Sequence, residues 1–298
     1  MTTVRNALLV TGASGHLGRS VIECLLAGAA KGRPIIATTR SPDKLADFAA
    51  RGVEVRAADF EQGASLDDAF KGADRMLLIS TDALDRPGRR LEQHVAAIAA
   101  AKKAGVRHVV YTSLTNPGPE SLVTIAPDHR ETEAALAEAS FGHTILRNNF
   151  YTEYLLPGLP YAVKSGGFAN AYGNGGVGYV SREDCARIAG AALAADFDGR
   201  AVHDVTGPAA ITQTELAAIV SELTGRKVTY TAIDGATSKA HLVAAGLPAP
   251  VADLLVSFEL AGAKGQLAVA STAVETLIGK KPISVRDFLT KNVEALTA

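Results

Sequence analysis

The 298-residue sequence lacks three features that would place it in a specialised class of protein. It has only two cysteines, Cys24 and Cys185, far apart on predicted helices, so we expect reduced core thiols rather than a disulfide or a metal site. It has no apolar run of about 18 residues, which excludes a membrane-spanning helix. Its net charge of −1 supplies no positive field that would attract nucleic acid or an anionic membrane.

The amino-terminal stretch MTTVRNALLV changes to strand and turn residues too early for a signal peptide. With 47% hydrophobic and 20% charged residues, the composition is that of an ordinary globular protein. These observations predict a soluble, cytoplasmic protein that binds neither nucleic acid nor a membrane. The sequence leaves the oligomeric state open, and a homodimer is among the alternatives.

The first half of the chain alternates short apolar runs with longer helical patterns. The runs are apolar at successive residues, which is typical of strands buried on both faces of a parallel sheet. We therefore predict an α/β fold: a doubly wound parallel (Rossmann) sheet with a second, smaller α+β substrate domain. The predicted strands are Ala7–Gly12, Pro34–Arg40, Val53–Asp59, Arg75–Ser80, His108–Leu114 and His143–Asn148, with Ala201–Gly207 as an extension.

The regular alternation of apolar runs and helical patterns stops after residue 147. The stretch Tyr151–Val180 is rich in glycine, proline and aromatic residues, and it is predicted to be a loop with one short helix. We expect residues 1–147 and 179–207 to form the dinucleotide-binding domain, and residues 148–178 and 208–298 the smaller substrate-binding domain. In the smaller domain, Thr212 and Glu215 have capping-box spacing, and Gly225 is expected to end that helix.

The stretch TGASGHLGRS spaces three glycines three residues apart, between a predicted strand and a predicted helix. Without side chains there, the backbone can approach a pyrophosphate at the helix N-terminus. A Walker loop has a different spacing and a lysine, and a nucleophile elbow needs a spacer after Ser14, so an ordinary turn is the main alternative. The predicted dinucleotide contacts are Gly12, Ser14, Gly15, His16, Leu17 and Gly18.

The end of the second strand indicates which dinucleotide binds. A carboxylate there would hold the 2′-hydroxyl of NAD(H), whereas Arg40 suits the 2′-phosphate of NADP(H). We predict NADP(H), with a solvated surface arginine as the alternative. Asp59 and Phe60, after the third strand, are expected beside the adenine, unless Asp59 serves as a turn or helix-cap residue.

One pair of residues is missing from the sequence. Ketone-reducing short-chain dehydrogenases carry a tyrosine and a lysine four residues apart, and none of the seven tyrosines here has that lysine. The helix in which this pair would fall has His129 and Glu133 four residues apart instead. We expect a helical hydrogen bond between these two residues, since a metal site would need a third ligand. Ser113 and His129 could form a nucleophile pair, but Ser113 is placed for cofactor contact and no oxyanion motif accompanies it.

The motifs TGASGHLG, LLIS, YTSL, HRETE, LRNNFY and LTGRKVTY follow one another along nearly the whole chain. In this order the chain resembles the NmrA-like atypical short-chain dehydrogenase/reductases, in particular the bacterial type-2 NAD(P)H:quinone oxidoreductases and the triphenylmethane reductases. That family usually has LRNGWY where this chain has Asn149 and Phe150, so the wall of the substrate pocket is expected to differ.

The resemblance implies an NADPH-dependent reductase that delivers hydride directly to a quinone-like, small aromatic acceptor without a Tyr–Lys acid. Alternatives are a reductase of triarylmethane or azo dyes and a non-catalytic NADP(H)-binding redox sensor. No catalytic residue is assigned. The candidate proton donors are Tyr111, His129 and solvent. The resemblance places Ser80, Thr81, Ser113, Asn148, Asn149 and Phe150 on the cofactor, and Phe150, Tyr151, Thr152 and Glu153 on the acceptor.

Overall fold

A computed structural model of the protein describes residues 6–297 and has a seven-stranded parallel sheet. Numbered along the chain, the strands lie in the order β3-β2-β1-β4-β5-β6-β9. The reversal beside β1 is the switch point of a doubly wound fold, so the predicted fold class is confirmed. The strands are β1 (Ala7–Val10), β2 (Ile35–Thr39), β3 (Glu54–Ala57), β4 (Ala73–Leu78), β5 (His108–Leu114), β6 (Gly142–Asn148) and β9 (Arg200–Val205).

Helices cover both faces of the sheet. On one face, Leu66, Ile98 and Leu136 of three helices pack with Met76 and Tyr111 of the strands in a buried cluster. On the other face two helices pack so closely that a Cβ on Gly190 would lie 3.4 Å from the Cβ of Cys24. The helices of this part are α1 (His16–Cys24), α2 (Ala46–Ala49), α3 (Gly63–Ala69), α4 (Arg89–Ala104), α5 (Ala126–Glu138) and α7 (Arg182–Ala194).

The chain divides into two compact units. The first contains the chain up to Ser113, Asp128–Arg147 and Arg182–His203; the second contains Leu114–Pro127, Asn148–Ser181 and the chain from Asp204 onward. Residues 114–127, which we expected in the dinucleotide-binding domain, therefore lie in the second unit. The reason is packing, because Val123 and Ala126 are buried in the apolar cluster of that unit.

The second unit combines helices with two small sheets, one parallel and one antiparallel. The prediction of a loop with one short helix over 151–180 was wrong in part, because two short strands form there by pairing with residues far along the chain. The strands are β7 (Gly167–Asn170), β8 (Gly176–Val177), β10 (Ile211–Thr212) and β11 (Thr229–Ala232). The helices are α6 (Leu159–Ser165), α8 (Gln213–Thr224), α9 (Gly235–Ala244), α10 (Ala249–Ala263), α11 (Ala273–Ile278), α12 (Val285–Lys291) and α13 (Val293–Thr297).

Helix α8 has the ends that its sequence predicts. The Thr212 hydroxyl accepts a hydrogen bond from the Glu215 N–H, and the Glu215 carboxylate accepts one from the Thr212 N–H. Gly225 follows the helix with φ of +66°, a conformation in which a residue without Cβ meets no steric penalty. The capping box and the glycine end are both confirmed.

Within residues 6–297, every helix is too short or too polar to cross a membrane. The first five residues, on which part of the signal-peptide argument rests, lie outside the described residues. Cys24 is half-buried and Cys185 is buried, and both are free thiols.

Arg75 is a buried cation inside the sheet, with 1% of its side chain exposed. It lies at the amino end of β4, and its guanidinium donates to the Leu193 carbonyl at 2.9 Å and the Phe197 carbonyl at 2.8 Å. A third N–H donates to the carboxylate of Asp198, also at 2.9 Å. The Arg75 side chain therefore supplies hydrogen-bond donors to the end of α7 and to the segment that joins α7 to β9. These contacts lie at the end of the sheet opposite the glycine loop.

Replacing this cation tests its contribution to stability. Arg75→Met keeps the apolar stem but leaves two carbonyls without their donor and removes one of the two arginines that pair with Asp198, so we expect the free energy of unfolding to fall by about 2–4 kcal/mol. Urea-induced unfolding measures the change. Lys71→Met is the control, because its ion pair with Asp68 is exposed on both sides and the substitution should leave the free energy of unfolding nearly unchanged. Equal losses in the two variants would contradict this assignment.

Candidate cofactor and active site

Two glycines let helix α1 approach the end of β1. Gly12 has φ of +58°, which disfavours any residue with a side chain. A Cβ on Gly18 would lie 2.5 Å from the Gly12 carbonyl oxygen and 2.7 Å from the Cα of Ala13. Contacts this short do not occur, so only glycine permits the helix to pack against the loop.

The N-terminus of α1 is left open by this loop. Its N-cap residue is Gly15, no side chain caps it, and both Gly15 and His16 are exposed. The hydroxyls of Ser14 and Thr39 lie 2.8 Å apart and tie the loop to the end of β2. Backbone N–H groups and a helix dipole that no side chain neutralises fit a pyrophosphate, so this cradle fits a dinucleotide.

Arg40 follows β2, beside that cradle in the strand order. Its guanidinium is exposed and has no hydrogen-bond or ion-pair partner among residues 6–297. Arg19 of α1 differs, because it pairs with Asp47 and lies 4.6 Å from the centre of the Phe48 ring. Arg40 is thus the uncommitted cation at the position where the ribose phosphate of NADP(H) would lie.

Asp59 is engaged within its own loop. One carboxylate oxygen accepts the Glu61 N–H at 3.0 Å and the other accepts the Gln62 amide at 3.1 Å. This is the turn role that the sequence left open as an alternative. Phe60 is half-buried against the apolar cluster of the first unit. An adenine contact by either residue stays a prediction.

The loop after β4 is held by hydroxyls and by a histidine. The Ile79 N–H donates to the hydroxyl of Thr11, and the Ser80 N–H donates to that of Thr112 at 2.9 Å. The Thr81 N–H donates to His94 Nε2 at 3.0 Å. Three consecutive N–H groups are therefore fixed by side chains of Thr11, which follows β1, and of β5 and α4.

The hydrogen bonds determine the protonation of His94. Since Nε2 accepts the Thr81 N–H, the proton of the neutral ring is on Nδ1 and donates to Thr132 Oγ1 at 2.9 Å. The Thr132 hydroxyl donates in turn to the Asp128 carbonyl at 2.6 Å. Burial lowers the pKa of His94 to about 3, which keeps Nε2 an acceptor at neutral pH.

The two candidate proton donors lie in the same interior. Tyr111 is 0% exposed and His129 is 4% exposed. Arg90 can only donate, so its contact of 3.0 Å makes His129 Nε2 an acceptor, and the Nδ1 proton then points to the Tyr111 hydroxyl at 2.8 Å. Burial raises the pKa of Tyr111 and holds that of His129 well below its ordinary value. Both are neutral, buried and engaged with protein groups.

Ser113, Glu133 and Arg147 form a separate group at the ends of β5 and β6. The Ser113 hydroxyl donates to Glu133 Oε1 at 2.6 Å. Arg147 donates to both carboxylate oxygens, at 3.0 and 2.6 Å. The expected His129–Glu133 hydrogen bond is wrong, because the two residues have different partners. The Ser113–His129 pair, against which the sequence argued, does not form either, since Ser113 contacts Glu133 and His129 contacts Tyr111.

In the second unit, Asn149 has a structural role. Its amide donates to the Leu267 carbonyl at 2.9 Å, and its own oxygen accepts the Phe150 N–H at 2.8 Å. Asn148 donates to the Tyr151 hydroxyl at 3.1 Å, while its amide oxygen is buried without a partner among the described residues. Asn148 therefore has a buried amide oxygen without a hydrogen-bond partner in the described part of the chain, whereas the Asn149 side chain has both of its polar atoms engaged.

The aromatic residues that follow pack mostly with one another. Phe150 lies edge-on to Phe258 with ring centres 4.9 Å apart, which supports packing as one of its roles. Tyr151 and Tyr154 are stacked at 17°, and Tyr154 is 53% exposed. Thr152 is buried, and Glu153 is half-buried. The exposed Tyr154 of this stacked pair offers a flat surface to an aromatic molecule.

Four residues of this first unit were not singled out from the sequence: His94, Thr132, Arg90 and Arg147. Each contacts a partner at least 13 residues away, the nearest pair being His94 with Thr81 and the farthest Arg90 with His129. No local pattern marks such pairs. The one available signal was the presence of histidines on predicted core-facing helices, which carry a polar ring into an apolar interior.

The cradle after β1 defines an α/β dinucleotide-binding protein. The chain matches the NAD(P)H-binding family over residues 12–196 and belongs to it. It is 37% identical to quinone oxidoreductase 2 of Escherichia coli, over 91% of this chain and 93% of that one. The resemblance inferred from the sequence motifs is confirmed.

Solved structures agree with this assignment. The NADPH-dependent quinone oxidoreductase of Escherichia coli, in complex with NADPH, superimposes with a TM-score of 0.88 at 36% identity, covering 96% of this chain and 99% of that one. The triphenylmethane reductase of a Citrobacter species, in complex with NADP(H), also has a TM-score of 0.88, at 33% identity over 95% of this chain and 99% of that one.

Reversing the charge of Arg40 tests the cofactor assignment. Arg40→Glu should weaken NADPH binding by about tenfold to a hundredfold, because a charge-assisted contact to the 2′-phosphate is lost and a repulsion is added. NADH, which has no such phosphate, should bind nearly as before. Calorimetric titration gives both dissociation constants, and Lys103→Glu, with the same charge change on α4, is the control. An equal loss of affinity for NADPH and NADH would contradict the assignment of Arg40 to the 2′-phosphate.

Substitution of His94 tests whether its ring holds the loop after β4. His94→Phe removes the acceptor, so we expect the Thr81 amide to exchange its hydrogen about fivefold faster, as suits the loss of one neutral hydrogen bond. His94→Gln places a carbonyl oxygen near the position of Nε2 and should restore protection. Hydrogen exchange followed by mass spectrometry measures both. If the two variants exchange alike, His94 does not hold Thr81.

Proposed function

We propose that this protein is an NADPH-dependent reductase that passes hydride to a quinone-like acceptor in the cytoplasm. The observation that carries the proposal is the set of hydrogen bonds made by His129 and Glu133 of helix α5. The positions where a ketone reductase would have its Tyr–Lys pair are occupied by His129 and Glu133, and both are committed to protein hydrogen bonds. A quinone suits such a site, because its reduction restores an aromatic ring and needs no strong side-chain acid.

The proposed reaction converts one NADPH, one quinone and one proton into NADP⁺ and a hydroquinone. When bound, NADPH supplies the hydride from its nicotinamide ring. The chain binds and orients: the loop Gly12–Gly18 holds the pyrophosphate, Arg40 holds the 2′-phosphate, and Ser80 and Thr81 border the second ribose. The proton comes from solvent, since Tyr111 and His129 are buried and hold their protons in the interior.

The acceptor side belongs to the second unit in this proposal. Phe150, Tyr151, Thr152 and Glu153 follow directly on β6, and the stacked pair of Tyr151 with the exposed Tyr154 supplies aromatic surface. Aromatic surface favours flat acceptors over aliphatic ketones. The first unit is accordingly the dinucleotide-binding domain, and the second is the substrate-binding domain.

A dye reductase is the second candidate, favoured by the similarity to the triphenylmethane reductase. Hydride transfer to the cationic carbon of such a dye needs no proton donor either, so the same residues would serve. A redox sensor of the NmrA type would bind NADP(H) with the same cradle and transfer no hydride.

The decisive experiment mixes the purified protein with NADPH and a simple benzoquinone, and follows the nicotinamide absorbance. We expect oxidation of NADPH well above the uncatalysed rate, and slower oxidation with NADH at equal concentration. A triarylmethane dye in place of the quinone compares the two acceptor classes. A rate no greater than that of the mixture without protein, despite measurable NADPH binding, would contradict the reductase and favour the sensor.

A further inference from the structure

The hydroxyl of Ser113 has its single proton committed. It lies at the end of β5 and donates to Glu133 Oε1 at 2.6 Å, a short distance for an O–H···O bond and typical of a charged acceptor. The two oxygens of the Glu133 carboxylate also accept two N–H groups of Arg147, at 3.0 and 2.6 Å. A carboxylate in this state accepts and has no proton to return.

Burial makes this orientation persistent. Ser113 is 5% exposed and the Glu133 side chain 12% exposed, so bulk water cannot readily compete for the hydroxyl proton. A serine whose proton is taken keeps only lone pairs for a ligand. Ser113 is therefore an acceptor in the site, and it cannot donate to an oxyanion that develops on a substrate.

The strand order indicates which part of a dinucleotide lies nearest. In the doubly wound fold the dinucleotide crosses the switch point beside β1, with one half on each side. Arg40, directly after β2, marks the adenosine side, so the nicotinamide half extends over β4 and then β5. Ser113 lies on the outer of these two strands, beyond Ser80 and Thr81, which border the ribose.

We infer that Ser113 accepts a hydrogen bond from the N–H₂ of the nicotinamide carboxamide, and that Glu133 is a positioning residue that turns the serine proton away. This inference rests on the proposed function, since it needs NADP(H) as the ligand. It assigns Ser113 to recognition of the carboxamide, and no role in acid catalysis. A matched ligand pair tests it, because the 3-acetylpyridine analogue of NADP⁺ keeps the ring carbonyl and lacks the N–H donor.

The experiment measures dissociation constants of NADP⁺ and of that analogue by calorimetry, without turnover. The wild-type protein should prefer NADP⁺ by about fivefold, the equivalent of one neutral hydrogen bond. Ser113→Ala should lower the affinity for NADP⁺ to that for the analogue, and it should leave the affinity for the analogue unchanged. Glu133→Gln should lower the preference as well, because a neutral amide no longer commits the serine proton. Ser165→Ala, on α6 of the second unit, should keep the preference and is the control.

The outcomes separate this inference from the proposed function. If the wild-type protein binds both ligands equally, or if Ser113→Ala weakens both by the same factor, the carboxamide contact is overturned while the reductase proposal stands. If Glu133→Gln keeps the full preference, Glu133 is not a positioning residue. If wild-type protein binds neither ligand, both the inference and the NADP(H) assignment are overturned. Thermal unfolding of each variant identifies losses that come from misfolding, and the wild-type preference requires no variant.

Discussion

The close approach of helix α1 to the end of β1 is the constraint on which the rest of the site depends. The Gly12 carbonyl would lie 2.5 Å from any Cβ at position 18, so a single methyl group would push the helix away. The close packing that glycine permits directs the open helix N-terminus at the switch point of the sheet, where the order of the strands reverses. The uncommitted Arg40 and the loops after β4 and β5 are useful only because that end of the helix is where an anion can bind.

A second constraint governs the interior behind those loops. Polar side chains of α4 and α5 enter an apolar cluster, and every such group needs a partner because an unpaired buried polar atom costs about 1–3 kcal/mol. The partners are found within the interior: Thr81 with His94, His94 with Thr132, and His129 with both Arg90 and Tyr111. These bonds fix the tautomer of each histidine. They also engage Tyr111 and His129 in hydrogen bonds with protein groups in the interior.

Much of the fold could be predicted from local patterns. Six strands of the sheet and its extension by a seventh follow from apolar runs, and the helix α8 follows from Thr212, Glu215 and Gly225. The prediction was wrong where pairing is distant. Strands β7 and β8 are short and each contains a glycine, and they form because β11 and β10 pair with them. The segment 114–127 was expected in the dinucleotide-binding domain but lies in the second unit. The reason is again distant contact, since its burial depends on residues of that unit.

The sequence by itself determined the glycine loop, the cation after β2 and the missing Tyr–Lys pair, because each depends on residue type at short spacing and on backbone rules that hold in any chain. Tertiary structure alone decided what the polar residues of α5 do. His129 and Glu133 are one helical turn apart, yet one faces Tyr111 and Arg90 and the other faces Ser113 and Arg147. Hydrogen-bond direction depends on which donor or acceptor stands opposite, and residues that are distant in sequence supply those groups only after the chain has folded.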